Sequence, residues 1–226
     1  MNLRAALAEF LATFTFIFVG AGSICVDHFT DAQLGLLGIA IAHGLALSIV
    51  VSATMNISGG HVNPAVTIAM LVTGRINREN AFLYIIAQIL GGVAGGLLLS
   101  MVFAGDVIAA VNLGTPSVHP DVSFAAAVSI EFVLTFFLLF AIFGTAVDQR
   151  APKIGGFGIG LTVAFDILVG GPLTGASMNP ARTLGPALVV GFWESHAVYW
   201  IGPVLGAIVA ALIYDHAFLK GREGKR

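Results

Sequence analysis

Two copies of one motif decide the fold of this chain: His61-Val62-Asn63-Pro64-Ala65-Val66-Thr67 and Ser177-Met178-Asn179-Pro180-Ala181-Arg182-Thr183. The two asparagines lie 116 residues apart (179 − 63 = 116), which is about half of the 226-residue chain. Asparagine is a preferred helix N-cap, because its side-chain oxygen accepts a backbone N–H that has no partner within the helix. Proline is favoured at the first helical position, where its missing N–H costs nothing. Each copy therefore predicts the start of a helix.

The two helices that begin at these motifs are short. The apolar stretches 64–73 and 180–190 would each span only ~15 Å, about half of the hydrocarbon core of a bilayer. Glycines, which favour turns and helix ends, flank both stretches. These glycines are Gly59-Gly60 and Gly74 for the first copy, and Gly170-Gly171 and Gly191 for the second. We predict two half-length helices whose N-termini lie inside the membrane.

Longer apolar segments surround the two motifs. Hydrophobic residues make up 58% of the chain and charged residues only 10%, whereas a soluble domain carries about 25% charged residues. Six segments are long enough to cross a bilayer: 5–26, 34–56, 80–104, 123–147, 154–172 and 196–219. The first is too long for the apolar core of a signal peptide. The sequence predicts an all-α membrane protein with six transmembrane helices and two half-helices.

The basic residues predict the orientation of these spans. Nine of the ten lysines and arginines fall before the first span, after the sixth, or in the connections after the second and fourth. They are Arg4, Arg75, Arg78, Arg150, Lys153, Lys220, Arg222, Lys225 and Arg226. By the positive-inside rule, both termini are cytoplasmic. We expect a multi-pass protein of the plasma (inner) membrane.

The two halves of the chain form an inverted repeat. Three spans per half is an odd number, so the halves at about 1–104 and 123–219 face opposite ways. The loop 105–122 joins them, and residues 1–226 form a single channel domain. Broken helices in an inverted repeat point to a site at the midplane.

The half-helix N-termini would meet at this midplane. Each carries roughly half a positive charge, and the pair repels cations. With their oxygens used as caps, Asn63 and Asn179 would each keep a free NH₂ group to orient water. Such orientation interrupts proton hopping along a file of waters.

Both motifs resemble the signatures of the aquaporin (major intrinsic protein) family. The matching stretches are Ser58-Gly59-Gly60-His61-Val62-Asn63-Pro64-Ala65-Val66-Thr67 and Gly171-Pro172-Leu173-Thr174-Gly175-Ala176-Ser177-Met178-Asn179-Pro180-Ala181-Arg182. The resemblance implies a right-handed six-helix bundle with one pore per subunit, assembled as a homotetramer in the lipid bilayer. It also implies passive passage of water and exclusion of protons and ions.

The resemblance also implies an aromatic/arginine selectivity filter. Counting from the motifs places its four positions at His43, Ile167, Ala176 and Arg182. This set is similar to that of the tonoplast intrinsic subgroup, which also admits ammonia, urea or hydrogen peroxide. A glycerol facilitator and an ion-coupled secondary transporter are the alternatives.

Five further polar residues are candidates for a role near the pore. Unpaired charges are costly inside a membrane, so we expect Glu9 and Glu131 to accept N–H groups from the turns beside the half-helices. His61 suits either a turn-stabilising hydrogen bond or a pH-sensitive gate. His119 suits either the filter rim or an ordinary loop. Asp166 suits either pairing with a helix neighbour or a more polar filter.

Other classes of function find no support in the sequence. The net charge of −2 gives no general attraction to nucleic acid. The single cysteine, Cys25, excludes an internal disulfide framework. Because there is no nucleophile–base pair, metal-ligand spacing or phosphate loop, we expect no enzyme activity, no cofactor and no metal site.

Overall fold

A computed structural model describes residues 2–152 and 154–219 of the chain. Lys153, Lys220, Arg222, Lys225 and Arg226, which contributed to the predicted orientation, lie outside the described residues. The regular structure of the described ranges consists of helices. They are α1 (Leu3–Phe29), α2 (Gly35–Ser58), α3 (Pro64–Val72), α4 (Arg78–Val102), α5 (Gly105–Val111), α6 (Phe124–Ile142), α7 (Phe157–Thr174), α8 (Pro180–Val190) and α9 (Val198–Tyr214).

Six of these helices are long and apolar enough to cross a membrane. They are α1, α2, α4, α6, α7 and α9, and they match the six predicted spans. Two of them continue at their C-terminal ends as π-helical turns, Phe143–Val147 after α6 and Asp215–Leu219 after α9. The helices α3 and α8 have 9 and 11 residues, so each reaches only about half-way through the hydrocarbon core.

The packing of the first half repeats in the second half. In the first half α1 packs on α2 and α4, and in the second half α6 packs in the same way on α7 and α9. The two halves meet where α2 packs on α7. Each half-helix also crosses to the other half, since α3 packs on α9 and α8 packs on α4. This exchange holds the two half-helices between the halves and confirms the predicted fold class.

The turn before the second motif differs from the prediction. Gly170 and Gly171 lie within α7, and the left-handed residue that ends this helix is Gly175, with φ of 77°. Interior glycine and proline disfavour a helix, but close packing overrides that preference. A β-carbon on Gly170 would collide with Leu134 of α6. The first motif follows the prediction, because Gly59 ends α2 with φ of 92°.

The connection between the two halves is also more ordered than predicted. It begins with α5 and continues with a 3₁₀ turn over Asn112–Gly114. Leu113 and Gly114 are buried, and Gly114 lies against Ala21 of α1. The connection therefore reaches into the bundle and brings the backbone of Gly114 next to the second half-helix.

Close helix contacts depend on small residues, as the sequence suggested. A β-carbon on Gly92 of α4 would lie 2.8 Å from the carbonyl oxygen of Ala181, at the start of α8. One on Gly202 of α9 would lie 2.7 Å from the Cβ of Glu131 in α6. Only glycine permits these distances, so both contacts place functional residues by backbone packing.

Polar contacts tie helix ends together on one face of the bundle. The Asn2 N–H donates to Asn80 at the start of α4. Arg75, after α3, forms a 2.6 Å ion pair with Asp215. Arg150, after α6, donates to the Phe218 carbonyl. These contacts place the described basic residues at one end of the molecule, with the exception of Arg182 in α8.

Candidate functional site: a pore between two half-helices

Both half-helices are capped as the sequence predicts. The Oδ1 atom of Asn63 accepts the Ala65 N–H at 2.8 Å, and that of Asn179 accepts the Ala181 N–H at 3.0 Å. Both asparagines have extended backbones, and Pro64 and Pro180 occupy the first helical positions. The two Asn-Pro-Ala motifs thus start two buried helices.

The side-chain amides of the two asparagines also cross between the halves. The Nδ2 atom of Asn63 donates to the Met178 carbonyl at 2.8 Å, and that of Asn179 donates to the Val62 carbonyl at 2.9 Å. The expectation of a wholly free NH₂ group is therefore wrong. A side-chain amide has two N–H donors, so one from each asparagine remains for a molecule in the pore.

An unusual backbone conformation makes these crossed hydrogen bonds possible. Val62 and Met178 have φ angles of 55° and 53°, in the left-handed region that residues other than glycine rarely adopt. Such strain costs about 1–3 kcal/mol per residue. The conformation turns each carbonyl toward the asparagine of the other half. The strained turns are therefore needed to form the hydrogen bonds at the centre of the pore.

Glu9 holds the turn before the first half-helix. Its two oxygens accept the N–H groups of His61 and Val62 at 2.9 and 2.7 Å, the Ser58 hydroxyl at 2.6 Å and the Gln88 amide at 2.7 Å. Four donors satisfy this fully buried carboxylate, which accords with the structural role suggested by the sequence.

Glu131 holds the second turn in the same way. It accepts the N–H groups of Ser177 and Met178 at 2.9 and 2.7 Å, and the Thr174 hydroxyl at 2.7 Å. Glu9 thus fixes Val62 within the first half, and Glu131 fixes Met178 within the second half. Both turns therefore rest on an equivalent set of hydrogen bonds.

Two tyrosines complete these supports, and the sequence argument missed their role. Tyr84 donates its hydroxyl to the Ser58 carbonyl at 3.0 Å, and Tyr199 donates to the Thr174 carbonyl at 2.8 Å. Each accepting carbonyl belongs to the last residue of the helix before a motif, where it has no intrahelical partner. Tyr84 and Tyr199 lie 115 residues apart (199 − 84 = 115), close to the 116 between the two asparagines, and this spacing was the available signal.

Arg182 and His43 meet at the predicted filter. The Nη1 group of Arg182 donates to the Gly114 carbonyl at 2.6 Å, and its Nη2 group lies 3.3 Å from Nε2 of His43. The Nδ1 atom of His43 lies 2.9 Å from the Ile39 carbonyl. Since a carbonyl only accepts and a guanidinium only donates, His43 is neutral, with its proton on Nδ1.

Arg182 has further donors besides these two. Its Nε–H is buried and has no hydrogen-bond partner within the described residues. An unused buried donor is costly unless a water or solute completes it. Arg182 lines the central cavity, where a passing molecule can supply that acceptor.

The two remaining filter residues face the same cavity. Ile167 and Ala176 line it together with His43 and Arg182, and both are buried. Phe16 of α1, which the sequence argument missed, also lines it and sets its ring edge-on to His43 at 5.9 Å between centroids. The structure thus brings all four predicted filter residues together around one narrow passage.

The cavity has a narrow neck and a wider vestibule. The neck has a volume of about 20 Å³ and is lined by both motif asparagines and the filter residues. Beyond it, toward Arg75, lies a space of about 260 Å³. Gly60, His61 and Val66 line both spaces. A water needs roughly 10–15 Å³ of such volume, so the neck has room for about one water at a time.

The neck wall is largely apolar, and its periodicity was present in the sequence. Leu47 and Val51 follow His43 on α2 at intervals of four residues, and all three line the neck. The corresponding residues of α7 are Ile159, Val163 and Ile167. Residues four apart share a helix face, so the filter positions could have identified the rest of the wall.

The other candidate residues have different surroundings. His61 lines the passage and places Nδ1 3.1 Å from the Thr67 hydroxyl. The side chain of His119 is 52% exposed, and its Nδ1 accepts the Asp121 N–H, so it forms a local turn away from the neck. Asp166 does not line the neck and has no side-chain hydrogen bond within the described residues.

Six membrane-crossing helices with two half-helices that meet at a narrow passage define a membrane channel. Comparison with known proteins identifies the kind of channel. The family model described as major intrinsic protein matches residues 1–214. The chain therefore belongs to the major intrinsic protein family, whose aquaporins are channels and not enzymes.

Individual relatives are similar in sequence over nearly the whole chain. Aquaporin TIP4-4 of Zea mays is 44% identical over 225 residues, covering 96% of this chain and 87% of that protein. Aquaporin TIP2-1 of Arabidopsis thaliana is 42% identical, covering 98% and 90%. The solved aquaglyceroporin of Plasmodium falciparum has a TM-score of 0.88 and covers 99% of each chain, with 24% identity. That structure supports the fold.

Proposed function

We propose that this channel passes water through the neck between the two half-helices, past a filter formed by His43, Ile167, Ala176 and Arg182. The observation that carries the proposal is the convergence of both motif asparagines and all four filter residues on one narrow cavity. The TIP aquaporins among the relatives support the same function.

The donors around the neck support selection against ions. Asn63, Asn179 and Arg182 each keep an N–H group available after their contacts within the protein. The two half-helix N-termini add positive partial charge. A water oxygen can accept these donors, whereas a cation is repelled, and a water held by both asparagines cannot pass a proton along the file.

The filter also supports passage of small neutral solutes besides water. Ile167 and Ala176 offer no hydrogen bonds from their side chains, so one wall of the filter is apolar. We propose that ammonia passes with water, and that urea and hydrogen peroxide are further candidates. Glycerol is not favoured, because the aquaglyceroporin neighbour is distant and supports the fold alone. The family match indicates a channel and gives no support to a coupled transporter.

The experiment is stopped-flow light scattering on proteoliposomes, with wild type and His43→Phe given water, ammonia and glycerol challenges. We expect wild type to pass water and ammonia quickly and glycerol slowly. Phenylalanine removes the ring nitrogen that accepts from Arg182 and adds apolar bulk. The substitution should therefore abolish ammonia flux and keep much of the water flux.

Leu37→Phe is a matched control, because this α2 side chain is 60% exposed on the outer surface and should leave all three rates unchanged. Fast water flux alone, unaltered by His43→Phe, would contradict the filter assignment. Water flux no faster than in empty vesicles would contradict the channel function itself.

The assembly and the membrane are further parts of the proposal. We propose a homotetramer, which native mass spectrometry of the solubilised protein would test. The expected plasma (inner) membrane finds no support, because the relatives are tonoplast aquaporins. We retain cytoplasmic termini as a proposal, supported by the contacts that gather the described basic residues at one end.

A further inference from the structure

The filter residue His43 packs against a glycine of the first helix. Gly20 is buried in α1, and a β-carbon built on it would lie 2.6 Å from Cδ2 and 2.7 Å from Nε2 of His43. Both distances are far below the optimal separation of two carbon atoms, about 3.5–4.0 Å. The imidazole of His43 therefore occupies the space that a larger side chain at position 20 would need.

The imidazole cannot move aside without losing its other contacts. Its Nδ1 atom lies 2.9 Å from the Ile39 carbonyl, and its Nε2 atom lies 3.3 Å from Nη2 of Arg182. The Phe16 ring meets it edge-on, with 5.9 Å between centroids and 80° between planes. The imidazole also lines the neck, and that is the direction left open to it. A side chain at position 20 would thus push the imidazole toward the passage.

The backbone of α1 is fixed at the same point. The Ser23 hydroxyl donates to the Gly20 carbonyl at 2.7 Å in a buried contact, and α1 packs on α2, which carries His43. Glycine in the interior of a helix is less favourable than alanine, so a glycine here needs a compensating contact. The space that it leaves for the imidazole provides that contact.

We propose, on the basis of the water channel proposed above, that Gly20 is a positioning residue of the filter. It keeps the His43 imidazole back from the neck and within reach of Arg182. The neck has a volume of about 20 Å³, and one water needs roughly 10–15 Å³ of it, so a ring tilted into this space would obstruct the passage. In this way α1 joins α2, α7 and α8 in forming the filter.

The test is a double-mutant cycle of Gly20→Ala with His43→Ala, measured as stopped-flow water flux in proteoliposomes of equal protein content. One excess buried methyl group should disfavour the seated imidazole about tenfold, so Gly20→Ala alone should lower the water permeability by about that factor. On the His43→Ala background the methyl group meets no imidazole, and the permeability should change less than about twofold. Gly22→Ala is the matched control on α1, since its β-carbon would meet the flexible end of Leu99 at 3.1 Å.

NMR of the histidine side-chain nitrogens reports the imidazole without relying on transport. The signals absent from His43→Ala belong to His43, and they should shift in Gly20→Ala and keep their wild-type positions in Gly22→Ala. No loss of permeability in Gly20→Ala, equal losses on both backgrounds, or unshifted His43 signals would overturn the proposal.

Folding itself extends the test. Where Gly20→Ala fails to fold, the double variant with His43→Ala should fold again, and a double variant that stays unfolded would also overturn the proposal. Wild-type vesicles no faster than empty ones would contradict the water channel instead, and the NMR signals of His43 would still decide the role of Gly20.

Discussion

At the residue scale, the filter depends on a donor and an acceptor that fix each other. The Gly114 carbonyl and Nε2 of His43 take up two donors of Arg182. The Ile39 carbonyl fixes the proton of His43 on Nδ1, so Nε2 stays an acceptor. The guanidinium of Arg182 is thus held by one helix, α2, and by the connection after α5, and its Nε–H can act on the contents of the pore.

The asparagine caps give the first prediction at this scale. Replacing Asn63 by alanine removes a helix cap, worth about 1 kcal/mol. It also leaves the buried Met178 carbonyl without its donor, which costs about 1–3 kcal/mol. We expect Asn63→Ala to lower the free energy of unfolding by about 2–4 kcal/mol and to reduce water permeability.

Asn77→Ala is the matched control, because Asn77 also caps a helix, α4, through its side chain. That cap is exposed and makes no crossed bond, so we expect a loss of about 0.5–1 kcal/mol and unchanged permeability. Thermal unfolding in detergent and stopped-flow water flux would measure both variants. Equal losses in the two would show that the crossed bond contributes nothing beyond capping.

At the scale of whole elements, glycines set how closely the helices approach. Gly92 of α4 touches the backbone at the start of α8, where Ala181 belongs to the second motif. A change in the membrane-spanning helix therefore moves the half-helix. The position of the pore is set by backbone contact as well as by hydrogen bonds.

This contact predicts a strong effect from a single methyl group. The β-carbon of Gly92→Ala would lie 2.8 Å from the Ala181 oxygen, and overpacking of this kind costs about 1–3 kcal/mol. We expect lower thermal stability and lower water permeability. Gly105→Ala is the control, because no atom lies within 4 Å of the β-carbon it would add. A neutral result at Gly92 would mean that α4 and α8 separate without disturbing the motif.

The sequence predicted these elements well wherever a local pattern determines them. Asn63-Pro64 and Asn179-Pro180 start the half-helices as expected, and apolar length identifies the six spans. The end of α7 could not be predicted, because packing against Leu134 keeps Gly170 helical. The crossed bond from Asn63 to Met178 joins residues 115 apart in sequence, which local patterns do not specify.

At the scale of the whole molecule, the basic residues and their contacts distinguish one end of the bundle from the other. Arg75, Arg150 and the start of α1 lie together through their contacts with Asp215, Phe218 and Asn80. The connection from α4 to α6 lies on the other side, because α4 crosses the bilayer once. We propose that this basic end faces the cytoplasm, as the positive-inside rule favours.

Single-cysteine labelling tests this orientation. Glu79 lies in the first turn of α4 and Ser117 in the connection that follows α4, and both are exposed. The native Cys25 is fully buried and should react little. In intact bacterial spheroplasts, a membrane-impermeant maleimide should label Ser117→Cys and should label Glu79→Cys only after permeabilisation. The reverse pattern would place the termini outside.

The crossed asparagines have a consequence for the motions of the channel. The backbone of Val62 is held at its N–H by Glu9 and at its carbonyl by Asn179, and that of Met178 by Glu131 and Asn63. Opening either turn breaks a hydrogen bond to the asparagine of the other half. The amide protons of Ala65 and Ala181, one from each half, should therefore exchange with solvent deuterium through one shared opening and at one common rate.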